Sequence, residues 1–524
     1  MTPGLFIECI KLWWQMFFYS EWFYFALFLP LTALIYQAAG RKKRKFVLLL
    51  AGWFLMITLS GWLFLCNLAA VIICRELGVR MGRIDEDGAL KRKEKAAKKR
   101  RLLILGVLLL LSVLLGFKYL DFFGENICLL LSALSLHAEW KILDLAVPMG
   151  ISYYTLEAIG YLTDVSGGRQ KPEKSYADLA LFLSFFPKII EGPIERYGHI
   201  HEELAGGSPI RYESLTEGYQ RILWGLFKKL MVADHLAPAV SALYGDVPRD
   251  GSTALAAAVF FTVQEYADFS GTIDIAIGSA RIFGVHLAEN FRQPFFAKNA
   301  SDFWRRWHIT LGAFFRDYVF YPAAISKKVM KLSKKLDNKM IPTAVALFAV
   351  WSLNGLWHGP KWNYIFFGLY YFVVILLENI LEEPMGRLYE RLKIREDSLG
   401  LRLFRFVKLA MIVMTGEMFF RAESVRTGFQ MLGSIFTSFH WSVFAESMGS
   451  LGMDVFDYWT VALSLGVMLA FGLMKEKEIP VRERFMGLPA PGRYAFWYLA
   501  VLSIVIFGAY GSGYSITDAI YAKF

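Results

Sequence analysis

Two histidines carry the chemistry that is legible in this chain. His358 lies in Trp351-Ser-Leu-Asn-Gly-Leu-Trp-His-Gly-Pro-Lys-Trp-Asn363, and His308 in the long aromatic and basic stretch Glu289–Tyr321. Imidazole is the side chain whose ordinary pKa lies nearest neutral pH, so it suits general-base work. An apolar helix is expected to start near Pro342 and run into Asn354-Gly355, and Gly359-Pro360 end or bend it, so His358 sits at a break. At membrane depth a break is tolerated only where the backbone faces protein or a wet cavity. His358, flanked by Trp357, is therefore the leading catalytic candidate, a base that activates a substrate hydroxyl. A hydrogen-bonded structural histidine is the competing reading. The sequence has no G-x-S-x-G nucleophile motif and no phosphate-binding G-x-x-x-x-G-K-S/T loop. His199-Ile-His201, beside Glu202 and Glu203, has ligand-type residues, but it reads as an ordinary polar loop and no metal site is expected.

The segment around His308 reads as one helix, with Ser301 as N-cap and Asp302 in the first turn. At about 100° per residue, Arg305, Arg306, Arg316 and Asp317 fall within about 60° of Asp302. Trp304, Trp307, Leu311, Phe314, Phe315 and His308 fall on the opposite arc. A purely structural charged stripe would pair Asp302 with Arg306 at i, i+4 and Arg316 with a carboxylate of another helix. The functional reading is a guanidinium surface for a phosphate-bearing donor, such as a nucleotide cofactor or a phosphopantetheine arm.

The elements that hold these residues are membrane helices. Of the 524 residues, 56% are hydrophobic, 16% aromatic and only 20% charged, a balance that excludes a disordered chain, a collagen, a coiled coil and an ordinary soluble enzyme. Charge-free runs such as Leu102–Gly116, Ile365–Leu377, Trp459–Met474 and Tyr494–Tyr510 approach the roughly 20 residues a spanning helix needs. Roughly ten or eleven membrane segments are expected on that span length. Helices are the expected spanning element, because each must satisfy its own backbone. The net charge of +11 is concentrated in two blocks, Arg41–Lys45 and Lys91–Arg101. Beside apolar segments, both read as cytoplasmic anchors and not as a nucleic-acid surface. Phe46–Cys74 between them looks too short for two full spans, so a hairpin broken at Gly52 and Gly61 is expected. Met1–Ser20 lacks a signal-peptide cleavage site and reads as an interfacial helix with Trp13 and Trp14 at headgroup depth. Cys9, Cys66, Cys74 and Cys128 read as buried small hydrophobes.

The polar stretches Gly82–Arg101, Asp164–Ser175, Glu191–Tyr212, Lys327–Asn338, Glu382–Gly400 and Lys475–Arg493 read as loops, and no internal repeat is seen. One integral membrane domain over residues 1–524 is the simplest organisation. Between Ala146 and Pro360 its helices are often interrupted, so the catalytic middle region is placed at about 146–380, with a cavity.

At these residues the chain resembles the membrane-bound O-acyltransferases (MBOAT), in particular the bacterial branch of alginate O-acetylation and teichoic acid D-alanylation proteins. The resemblance runs along most of the chain. It is carried by Gly116-Phe-Lys-Tyr-Leu, Val147-Pro-Met-Gly-Ile-Ser-Tyr-Tyr-Thr-Leu-Glu157, Tyr161-Leu-Thr-Asp-Val165 and Phe185-Phe-Pro-Lys-Ile-Ile-Glu-Gly-Pro-Ile-Glu-Arg-Tyr197. It continues through Phe227-Lys-Lys-Leu, Tyr266-Ala-Asp-Phe-Ser-Gly-Thr-Ile-Asp-Ile-Ala-Ile-Gly278, Glu289–Tyr321, Gly355-Leu-Trp-His-Gly359 and Phe419-Phe-Arg-Ala-Glu423.

The resemblance implies a ring of helices around a central tunnel joining the cytoplasm to the outer face. It implies His358 as catalytic base and His308 as the second polar residue of the tunnel. The acyl thioester, from acetyl-CoA or an acyl carrier protein, enters as co-substrate with no bound cofactor, and the acyl group leaves on an extracytoplasmic hydroxyl. His308 would orient the donor or hydrogen-bond the developing oxyanion. Asn354 and the backbone near Gly355 and Gly359 are candidate helpers, with Trp304, Arg305, Arg306, Trp307, Arg316 and Trp357 as donor-binding or tunnel residues. The length favours acetyl-like transfer to a cell-surface polysaccharide over D-alanyl transfer to teichoic acid. An extracytoplasmic or membrane-anchored SGNH-like partner and the bacterial cytoplasmic membrane complete the expectation. A polysaccharide or lipid transporter and a non-catalytic scaffold are the rival classes, and the missing inverted repeat weighs against a transporter.

Overall fold

A computed structural model describes residues 23–136, 138–245, 247, 249–396 and 398–510. The expected interfacial helix Met1–Ser20, with Trp13, Trp14 and Cys9, lies outside the described residues. The described residues are 79% helical, and no strand occurs among them, so the fold is that of an all-α, polytopic membrane protein. Five helical stretches there are long and apolar enough to cross a membrane: Arg41–Glu86, Arg92–Lys118, Trp362–Arg391, Val455–Glu476 and Ala490–Phe507. Phe23–Ala38 is a shorter apolar one. Leu108, Leu463 and Leu499 on these helices are exposed, as side chains in contact with lipid acyl chains would be.

The segment between the two basic blocks departs from expectation. It forms two helices of 20 and 22 residues, Arg41–Ser60 and Leu65–Glu86, each about 30 Å long at 1.5 Å per residue and so long enough to span. Each continues past the apolar run because Arg, Lys and Glu are good helix formers whose heads reach water. The break falls at Gly61 alone, in the left-handed region at φ 57°. Gly52 is instead a packing site, where a Cβ would lie 2.0 Å from the Ser184 carbonyl oxygen. Several stretches that read as loops are also partly helical, namely Tyr197–Gly206, Lys327–Lys335, Val481–Met486 and the end of Trp362–Arg391. Their charged residues favour a helix as readily as a loop, and polarity alone does not separate the two.

The chain falls into two compact units. One holds the described residues up to Ile222 together with Asp274–Ala288, and the other Leu223–Ile273 with those from Glu289 onward. In the first unit Ile151–Ser166 is the buried centre, packed on Leu65–Glu86 and Arg92–Lys118. It carries Glu157, which accepts from the Lys188 ammonium and, at 3.0 Å, from the Glu195 backbone N–H. Glu195 in turn accepts from the Ala288 backbone N–H and from His199. The Arg41–Lys45 block is partly structural: Arg41 and Arg44 donate to the carbonyls of Gly206 and Gly207, and Lys45 pairs with Asp178 at 2.7 Å.

In the second unit the helices Ile341–His358 and Trp362–Arg391 form a tight hairpin. Its closeness depends on glycine. A Cβ on Gly368 would sit 2.2 Å from the Trp351 carbonyl oxygen, and one on Gly355 2.5 Å from that of Tyr364. Leu399–Arg421 packs on the second arm, and Val455–Glu476 packs on Lys229–Ala233. His235 bonds both Asp457 and the Phe507 carbonyl, fastening the last two long helices. The Phe227-Lys-Lys motif is used for packing: Lys228 donates to Ser270, and Lys229 bonds Asp234 and Asp268.

Candidate active site

His358 is the last residue of Ile341–His358. Gly359 stops the helix at φ 152°, ψ 175°, a conformation open in practice only to glycine. The imidazole is buried, with 3% exposure. Rings enclose it: Phe420 at 5.0 Å between centroids, Trp357 at 5.2 Å and Phe367 at 5.7 Å. Phe420 lies in the last turn of Leu399–Arg421, where Asn363 donates to the carbonyls of Phe420 and Ala422 at 3.1 and 3.0 Å. Asn354 lies one turn before His358, also buried, and its Oδ1 has no hydrogen-bond partner among the described residues.

The segment around His308 is not one helix. Asn299, and not Ser301, is the N-cap, its Oδ1 accepting from the Asp302 backbone N–H at 2.8 Å. The helix Ala300–Arg306 then stops, and a second, Ile309–Phe315, begins. His308 between them is left-handed, at φ 47° and ψ 51°. That conformation costs a non-glycine residue on the order of 1–3 kcal/mol, and Asn, Asp and His tolerate it best. A remote segment imposes it. Arg292 N–H donates to the Arg306 carbonyl at 2.8 Å, Ile309 N–H to the Asn290 carbonyl at 3.0 Å, and Phe291 bridges to Trp307.

This turn overturns the single charged and aromatic stripes expected on one wheel. Asp302 does pair with Arg306 at 3.2 Å, but Arg306 also binds Glu476 at 2.9 Å. Arg316 pairs with its neighbour Asp317 at 2.8 Å, not with another helix. Arg305 is exposed. The three guanidiniums thus have different surroundings instead of forming one surface. Trp304 packs edge-on against Trp351 and Tyr371 at 5.0 and 4.8 Å, and Trp307 stacks on Phe303 at 5.4 Å.

The structure brings both histidines into contact with one indole. Trp357 lies 5.7 Å from His308 and 5.2 Å from His358, centroid to centroid. Phe269 meets His308 edge-on at 4.8 Å. His199 and His201 belong elsewhere: His199 bonds Glu195 and His201 bonds the Tyr197 carbonyl.

The comparisons with known proteins give the family. A model of the membrane-bound O-acyltransferase family matches residues 50–420. The chain belongs to that family. It is 28% identical to the probable alginate O-acetylase of Azotobacter vinelandii over 461 residues, 87% of this chain and 85% of that one. It is 30% identical to the peptidoglycan O-acetyltransferase of Helicobacter pylori over 64% of each chain. Against the teichoic acid D-alanyltransferase of Bacillus subtilis it is also 30% identical, over 45% of this chain and 60% of the relative. This MBOAT protein is an acyltransferase, which sets aside the transporter and scaffold readings.

Three buried polar groups had no distinct sequence signal. Asn290 and Asn363 act through backbone contacts that only the fold creates. Glu265 and Glu417 are buried on different helices and hydrogen-bond each other, which requires a proton between them. A carboxylate in an apolar run was the one available hint, at Gly416-Glu-Met-Phe-Phe420.

Proposed function

We propose that this MBOAT protein moves an acetyl group from a thioester, carried by coenzyme A or an acyl carrier protein, to a hydroxyl outside the cytoplasm. The acceptor is a cell-surface polysaccharide or an SGNH-like partner that passes the group on, and the protein works in the bacterial cytoplasmic membrane. The observation that carries the reading is the pair of buried imidazoles that both contact Trp357, in a chain of this family. His358 takes the proton as the hydroxyl oxygen attacks the thioester carbonyl. The C–S bond then breaks, and the leaving sulfur receives that proton, so the step is balanced without a bound cofactor. A tunnel reaching His358 from both faces of the membrane is part of this proposal, since donor and acceptor meet from opposite compartments.

The alginate O-acetylase likeness spans far more of the chain than the D-alanyltransferase likeness, and this favours acetyl. D-alanyl transfer from a carrier protein to teichoic acid is the second reading, supported by the Bacillus subtilis match. Membranes containing the protein, given labelled acetyl-CoA or labelled D-alanyl carrier protein, decide between them. Transfer of neither label, or undiminished transfer by His358→Ala, would overturn the proposal.

A further inference from the structure

The contacts of Asn290 fix which nitrogen of His308 bears the hydrogen. Asn290 is fully buried, and its Oδ1 lies 3.0 Å from the Thr310 backbone nitrogen and 2.9 Å from the Thr310 hydroxyl. A backbone N–H can only donate, so the amide atom facing it must be the oxygen and not the nitrogen. That same oxygen lies 3.3 Å from Nδ1 of His308. An amide oxygen only accepts, so Nδ1 carries the hydrogen of this contact. A neutral imidazole has a single N–H, and its other nitrogen is an acceptor.

We propose that Asn290 is a positioning residue that holds His308 in its Nδ1–H form, so that His308 meets the reactants as a hydrogen-bond acceptor at Nε2. This rests on the reading of the two imidazoles as the reaction site, and it makes one part of that reading specific. In this form His308 has no hydrogen at Nε2 to offer a developing oxyanion. It receives an N–H or O–H instead, either an amide N–H of the thioester donor or a neighbouring hydroxyl of the acceptor, since the attacking hydroxyl gives its only hydrogen to His358. The left-handed turn at His308 and the Phe291–Trp307 bridge belong to the same device, because they bring Nδ1 to Asn290.

Two substitutions at one position separate this role from a merely structural one. In His308→Asn the side-chain amide reaches the place of Nδ1, can still donate to Asn290, and suits a left-handed residue, but leaves nothing at Nε2. In His308→Gln the longer side chain reaches the place of Nε2 and offers an acceptor oxygen there. Full-length protein, purified in detergent, is compared for kcat, KM and melting temperature. The expected result is a kcat at least tenfold higher for Gln than for Asn, with Asn melting at least as high as Gln. An Asn variant as fast as or faster than the Gln variant overturns the proposal.

A cycle with Asn290→Ala gives the second measure. The substitution should reduce kcat several-fold more in the parent than in the His308→Gln background, where no tautomer remains to be chosen. Equal fold-losses in both overturn it. Should neither position-308 variant fold, Asn290→Asp and Asn290→Leu serve instead. The first keeps the accepting oxygen and retains transfer, and full transfer by the second is the overturning result. Across the active variants, a raised KM for the donor alone assigns Nε2 to the donor amide, and one for the acceptor alone assigns it to the neighbouring acceptor hydroxyl. His358→Ala is the separate control: if it keeps full transfer, the reading of the site fails, whatever happens at positions 290 and 308.

Discussion

Lys188 and His358 are equally buried, at 3% exposure each, yet they sit in opposite kinds of surroundings. Lys188 belongs to a network in which charge meets charge: Glu157 takes its ammonium and the Glu195 N–H, and Glu195 takes the Ala288 N–H and His199. Glycine tightens that network, since a Cβ on Gly192 would lie 2.2 Å from the Lys188 Cα. His358 is enclosed instead by Trp357, Phe367 and Phe420, and its helix ends beneath it. A network whose charges are all answered internally is costly to disturb and has little to offer a ligand. A titratable ring held by aromatic walls can exchange a proton with a reactant while the walls keep water out. The first arrangement suits stability and the second suits the proposed chemistry.

The largest effect should come from His358→Ala. Loss of the base lowers labelled acyl transfer by about 10²–10⁴-fold, and the melting temperature moves little. If that variant unfolded while losing activity, the contrast with Lys188 would collapse.

The network should respond in the reverse way. Lys188→Met leaves Glu157 buried without its cation and costs about 3–5 kcal/mol, read as an early denaturation midpoint in detergent. Adding Glu157→Gln should recover much of it, because the amide oxygen still accepts from the Glu195 N–H without a buried charge. A double variant weaker than either single one would show that the ion pair is not the unit of stability.

Gly368→Ala lies between the two classes. Its methyl would meet the Trp351 carbonyl, so the hairpin must open and the protein should lose about 1–3 kcal/mol. Since Trp351 and His358 share a helix, kcat should fall as well, in the same preparation. Unchanged kcat with lowered stability would mean that the hairpin spacing does not set the position of His358.

The smallest effect concerns His199. Its hydrogen bond to Glu195 raises its pKa above the ordinary value, and the ring is about half exposed. A raised folded-state value stabilises fully below the ordinary histidine range, near 6.5, and the contribution fades as pH rises through the raised value. Solvent screening keeps it small. Melting curves from pH 5.5 to 8.5 should show a slight decline on the alkaline side, absent in Glu195→Gln.

Local pattern announced some of these features and concealed others. The hairpin helix was readable because Pro342 starts it, an apolar run fills it and Gly359-Pro360 end it, all within one stretch. The basic blocks and long apolar runs gave the membrane class, and the quoted motifs gave the family. The charged stripe at Asp302–Asp317 failed because a helical wheel assumes constant backbone geometry. The turn at His308 interrupts that geometry through bonds to Asn290 and Arg292. No periodicity inside the segment encodes a partner outside it.

From the chain alone, then, come the residue types and the local stops: apolar length enough for a bilayer, an imidazole before a glycine that ends a helix, and the motif order of an acyltransferase family. These depend on hydrophobic burial and backbone sterics, which act over a few residues. Only the tertiary structure decided that His308 would turn left-handed, that the indole beside His358 would also contact it, and that Asn290 would hold its Nδ1 hydrogen. Those are hydrogen bonds and ring contacts between segments 14 or more residues apart, and they exist only once the chain has folded back on itself.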